Sequence, residues 1–113
     1  MDSEKKEKVE VDVSSYNFST GTRLVSTGDA CFMMGGETMS NGDTLDINLK
    51  CDFKNLALSK KAKIPDDGRS SSGIAFSPIV NLIVLVGGFR KNSCIATKIA
   101  AYDPKDNEWR ARA

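Results

Sequence analysis

Two stretches decide the fold: Cys31-Phe32-Met33-Met34-Gly35-Gly36 and Ile83-Val84-Leu85-Val86-Gly87-Gly88. They align without a gap at a displacement of 52 residues. The same displacement places Ser19-Thr20-Gly21-Thr22-Arg23-Leu24-Val25-Ser26 over Ser71-Ser72-Gly73-Ile74-Ala75-Phe76-Ser77-Pro78. Internal self-similarity at a period of about 50 residues marks a repeat architecture. Each copy reads as a strand-like segment, a turn near Gly28-Asp29 or over Pro78 to Asn81, a strongly apolar strand, and a diglycine that ends it.

Outward from the diglycines, each copy continues through a loop into a third strand. In the first copy the loop carries Asn41-Gly42-Asp43, a turn signal, and Leu45, Ile47, Leu49 and Cys51 alternate with polar residues at the strand period of two. In the second copy the loop is Phe89 to Ser93 and the strand runs from Ile95 to Tyr102. Both strands end on an aspartate turn, beginning at Asp52 and at Asp103. Fourth segments follow at Leu56 to Ile64 and at Glu108 to Ala113. No stretch has sustained helical periodicity, so the expected fold is all-β, with four-stranded antiparallel units of about 52 residues. The expected organisation is a charged, disordered tail over 1–8, a single strand within 9–16 from the alternation Val9, Val11, Val13, and repeats over 17–68 and 69–113.

Composition narrows the function. Of 113 residues, 40% are hydrophobic and 27% charged, as in globular chains. The net charge of +1 gives no field to steer the chain to nucleic acid or an anionic membrane. Histidine is absent, which removes the commonest general base and metal ligand and every Ser-His-Asp arrangement. Cys31, Cys51 and Cys94 lack a C-x-x-C spacing and read as reduced thiols of a cytoplasmic protein. The charged start has no apolar stretch of the signal-peptide kind, and the longest apolar run, Leu82 to Val86, is far short of a transmembrane span. Glu37, Asp43 and Asp46 do not have EF-hand spacing, and no Gly-Lys-Ser/Thr follows Gly35-Gly36. Neither a metal nor another cofactor is expected. Lys50, Lys54, Lys60, Lys61 and Lys63 read as charges guarding an outer sheet edge, with an acidic or phosphate-bearing partner as the alternative reading.

The second copy resembles a kelch repeat. The resemblance is carried by Gly87-Gly88, Tyr102-Asp103 and Trp109, in that order, behind an apolar strand and the opening Arg69-Ser70-Ser71-Ser72-Gly73. The first copy is degenerate: it keeps Gly35-Gly36 and Asp52, with Cys51 at the tyrosine position and Leu56 at the tryptophan position. The resemblance implies β-propeller blades, here two blades of an incomplete propeller, in which diglycine, tyrosine and tryptophan serve packing. Propellers need about four to eight blades. The chain is therefore expected to be a fragment or truncated form of a larger propeller, or to supply further blades by association of copies.

The resemblance further implies a non-enzymatic protein–protein interaction module, a scaffold or a substrate receptor of the ubiquitin-ligase adaptor kind. Its binding loops would carry Glu37, Phe89, Arg90 and Lys91. The alternatives are a propeller segment of an enzyme-associated protein, or a truncated product without function.

Overall fold

The structure, a computed structural model, describes residues 10–16, 18, 20–38, 43–91 and 94–110. The turn expected at Asn41-Gly42, the tail over 1–8, and residues 111–113 of the last segment lie outside them. Two four-stranded antiparallel sheets form, each a simple meander. The first has the order β1 (Arg23–Ser26), β2 (Ala30–Met34), β3 (Asn48–Asp52), β4 (Leu58–Lys60). The second runs β5 (Gly73–Ser77), β6 (Leu82–Val86), β9 (Ala100–Asp103), β10 (Glu108–Arg110), and a two-residue hairpin, β7 (Phe89–Arg90) with β8 (Cys94–Ile95), projects from it. The described residues contain no α-helix. The all-β expectation with four antiparallel strands per repeat therefore holds.

The 52-residue displacement carries the bounds of β2 onto those of β6. Beyond the diglycines the displacement drops to 51. Cys31 pairs with Cys51 as Ile83 pairs with Tyr102, and Cys51 pairs with Leu58 as Tyr102 pairs with Trp109. The residue at the tryptophan position is thus Leu58, not Leu56. Leu56 instead occupies the turn at φ +57°, matching Asn107 at φ +52°. Both turns open the same way: the carboxylate of Asp52 accepts the Lys54 amide at 2.8 Å, and that of Asp103 accepts the Lys105 amide at 3.0 Å. Such Asx turns reverse the chain with local hydrogen bonds.

Two expected strands differ. The segment Ile95 to Tyr102 is interrupted, because the Ala96 amide donates to Gly88 O at 3.0 Å and the Arg69 guanidinium takes Lys98 O, which turns the backbone away from the ladder. Within the expected loop Phe89 to Ser93, Phe89–Arg90 form a strand, β7. Near the N-terminus residues 10–13 form no strand. Asp12 accepts the Ser14 amide at 2.8 Å, and Ser14–Tyr16 close a single 3-10 turn.

Side chains alternate across each sheet, and one face of each meets the other. Phe32 and Met34, with Val25 beside them, pack against Ile83, Leu85, Ala100 and Tyr102, and Ile64 from the crossover fills the same core. Tyr102 is fully buried and stands at 5.7 Å from Phe32, edge to face, and at 5.1 Å from Trp109. Offset and edge-on rings satisfy the aromatic quadrupole while burying a large area.

Candidate functional site

The crossover from the first sheet to the second, Arg69 to Ser72, is held between the two diglycines. Gly36 N donates to Arg69 O at 2.8 Å, and Ser70 exchanges both backbone hydrogen bonds with Phe89, at 2.9 and 2.8 Å. Ser71 N donates to Gly21 O at 2.9 Å. Gly36 has φ +116° and Gly88 φ +81°. A Cβ on Gly88 would lie 2.5 Å from Ser70 O and 2.7 Å from Ser72 N, and one on Gly35 would strike Arg69 O. Only glycine allows the crossover to pass this close. Gly35 and Gly87, at φ +71° and +70°, complete the bend at each strand end.

This end of the molecule also gathers the expected binding residues. Phe89 is 46% exposed, Lys91 is exposed and Arg90 is half-buried, all on the hairpin next to the crossover. The buried Nε of Arg90 has no hydrogen-bond partner among the described residues. Glu37 differs from the other three. Its carboxylate accepts the Ser70 hydroxyl at 2.7 Å, its amide donates to Thr20 O at 2.8 Å, and its backbone bridges Thr20 and Thr44. It braces the crossover from within.

Arg69 lies at the floor of the region, 5% exposed. Its guanidinium donates to Leu85 O at 3.1 Å and to Lys98 O. Burial lowers its pKa, opposed by the nearby Asp66 carboxylate and reinforced by the positive charge of Arg90. An open cleft of about 870 Å³ adjoins it, lined among others by Pro65, Lys98, Ile99, Trp109 and Arg110. Ser70 is wholly buried, so its contact with Glu37 offers no nucleophile to a substrate. Among the described residues no group of three or more acidic, cysteine or histidine side chains could hold a metal ion.

Tyr102 and Trp109 belong to the packing between the sheets, and Asp52 and Asp103 open the turns after β3 and β9. Tyr102 donates its hydroxyl to Asn107 Oδ1 at 2.7 Å, and the same oxygen accepts Ala62 N at 2.8 Å. Trp109 Nε1 donates to Ala62 O at 2.8 Å. The pair Asn107 and Trp109 thus clasps the first sheet's last segment. Asp103 pairs with Arg110 at 2.7 Å, and this hydrogen-bonded guanidinium holds its carboxyl below the usual range. Sequence reading missed Asn107 and the inward turn of Arg69. The signal for Asn107 was its place at the end of an aspartate turn, where a left-handed residue is needed and asparagine is tolerated.

Set against protein-family models and against curated proteins, the chain matches none. No helix among the described residues is long and apolar enough to cross a membrane.

Proposed function

We propose that the chain is a pair of kelch-type propeller blades acting in the cytoplasm as a protein–protein interaction module, with no catalytic chemistry of its own. The observation that carries this reading is the pair of sequence-related four-stranded meanders whose diglycines pin one crossover. That framework holds the Phe89–Lys91 hairpin beside the Arg69 cleft. Exposed aromatic and cationic side chains on a braced hairpin suit an interface centre, where aromatic residues and arginine are enriched. A scaffold or a ubiquitin-ligase substrate receptor would use such a surface. The test is proximity labelling in cells with the wild-type chain and with a Phe89→Ala/Lys91→Glu double variant that retains wild-type amide exchange. A set of neighbours lost in the variant supports the reading. Neighbours indifferent to the substitutions overturn it.

A further inference from the structure

Cys31 and Cys51 are far apart in the chain and directly opposite each other in the ladder between β2 and β3. Side chains alternate across a sheet, so both sulfurs leave the face turned away from Phe32 and Met34. Cys51 is buried and Cys31 half-buried, which leaves one thiol of the two open to a small reagent. The third cysteine, Cys94, is exposed on β8 in another sheet. The second repeat holds Ile83 and Tyr102 at the equivalent pair, so the dithiol belongs to the first sheet alone.

Two flanking bonds fix the kind of pair. Gly35 N donates to Ile47 O at 2.9 Å and Phe53 N donates to Asp29 O at 3.0 Å, which makes Gly35 with Ile47 and Asp29 with Phe53 hydrogen-bonded pairs. Such pairs recur at every second residue of an antiparallel ladder, so Cys31 and Cys51 form one as well. The Cα atoms of a hydrogen-bonded pair stand about 5.5 Å apart, inside the disulfide range of about 4.4–6.8 Å. The Cβ atoms stand toward the upper end of about 4.5–5.5 Å, wider than the roughly 3.5–4.5 Å of a relaxed disulfide. A bridge here closes only by drawing the strands together, and a strained disulfide is the more easily reduced.

We propose that Cys31 and Cys51 are a reversible oxidation site, a cross-strand dithiol that a low-molecular-weight disulfide such as oxidised glutathione closes and excess reduced glutathione reopens. The Cys31 thiolate attacks one sulfur of oxidised glutathione, breaks its S–S bond and releases one glutathione thiolate. The Cys51 thiolate then attacks Cys31 Sγ in the mixed disulfide and releases the second. The two cysteine protons end on the two departing thiolates; the protein pair gives up two electrons and the glutathione disulfide takes them. Burial, and after it the facing Cys51, raises the Cys31 pKa, which keeps its thiolate scarce at neutral pH. Closure should therefore quicken about tenfold per pH unit below that pKa. The bridge would tie β2 to β3 just behind Gly35-Gly36, the bend that holds the crossover. The site is independent of the partner read for the Phe89 hairpin.

Alkylation followed by intact-mass and peptide measurement, on the full chain in glutathione mixtures, tests the proposal. Cys94→Ser removes the exposed third thiol. In excess oxidised glutathione this variant should lose two hydrogen atoms, resist alkylation at both remaining cysteines and yield a linked peptide pair containing residues 31 and 51. Excess reduced glutathione should restore both thiols. With Cys51→Ser added, the reaction should stop at the mixed disulfide on Cys31. The unsubstituted chain should give the same linked peptides, which keeps the test decisive if a variant does not fold. Two thiols that still alkylate after oxidation, a mixed disulfide that persists with Cys51 present, a bridge between chains, or a bridge formed only in denaturant overturns the proposal. A bridge that resists excess reduced glutathione in the native state overturns it as well, since it would be a permanent staple.

Discussion

Tyr102 shows how one side chain sets a pH limit. Burial pushes its phenol up to about 12, the chief cause being loss of solvent around the ionised form, with the Asn48 side chain opposing and the Asp103 charge adding. The folded chain therefore keeps the proton that unfolded chains release near pH 10. Stability is full below about pH 10 and falls between about pH 10 and 12, by on the order of 2 kcal/mol. Denaturant unfolding at stepped alkaline pH should show this decline. Tyr102→Phe should flatten it while costing about 1 kcal/mol at neutral pH for the lost bond to Asn107. The diglycine offers a matched pair of substitutions. Gly87 and Gly88 both have positive φ, but a Cβ on Gly87 meets nothing within 4 Å while one on Gly88 collides with backbone. Gly87→Ala should cost about 1 kcal/mol, the left-handed strain alone. Gly88→Ala should cost clearly more and release the crossover, seen as faster amide exchange at Ser70 and Phe89.

At the scale of the element, the aspartate turns carry the contrast. Leu56 and Asn107 hold the same left-handed position, yet leucine gains nothing there and is strained. Leu56→Asn should raise stability by about 0.5–1 kcal/mol, read as a higher denaturant midpoint with unchanged slope. The apolar strands β2 and β6, the diglycines and the four-stranded meander of each copy were legible in the sequence, because alternation and a constant displacement are local and additive. Leu56 lies 53 positions before Trp109, whereas the pairing beyond the diglycines keeps a displacement of 51 because the second copy's loop is one residue shorter; the match is therefore Leu58, two residues further on, and Leu56 falls in the turn. The break at Ala96–Ile99 was illegible for another reason. It depends on a buried arginine almost thirty positions away in the chain, and no local pattern records where a guanidinium will find its carbonyls. The same limit hid the role of Glu37, a charged loop residue by sequence and a brace for Ser70 in the fold.

For the molecule as a whole, the two sheets share one core rather than each owning its own. Phe32 and Met34 from the first lie against Ile83, Leu85 and Tyr102 of the second. Side-chain bonds then cross between the sheets along both edges: Arg23 Nε of β1 donates to Ser72 O at 2.8 Å, and Trp109 Nε1 of β10 to Ala62 O at 2.8 Å. Neither sheet buries its apolar face without the other, so each should lose protection when the other does. Trp109→Ala removes a large ring from the margin of this core and breaks one of the two crossing bonds. A buried tryptophan truncated to alanine costs about 3–5 kcal/mol; Trp109 is half-buried, which puts the expected loss near the lower end of that range. Native-state amide exchange should then accelerate by a similar factor at Phe32 and Lys50 in the first sheet and at Ile83 and Tyr102 in the second, although only β10 is altered. If protection fell in the second sheet alone, the two meanders would be separate cooperative units and the shared core would not couple them.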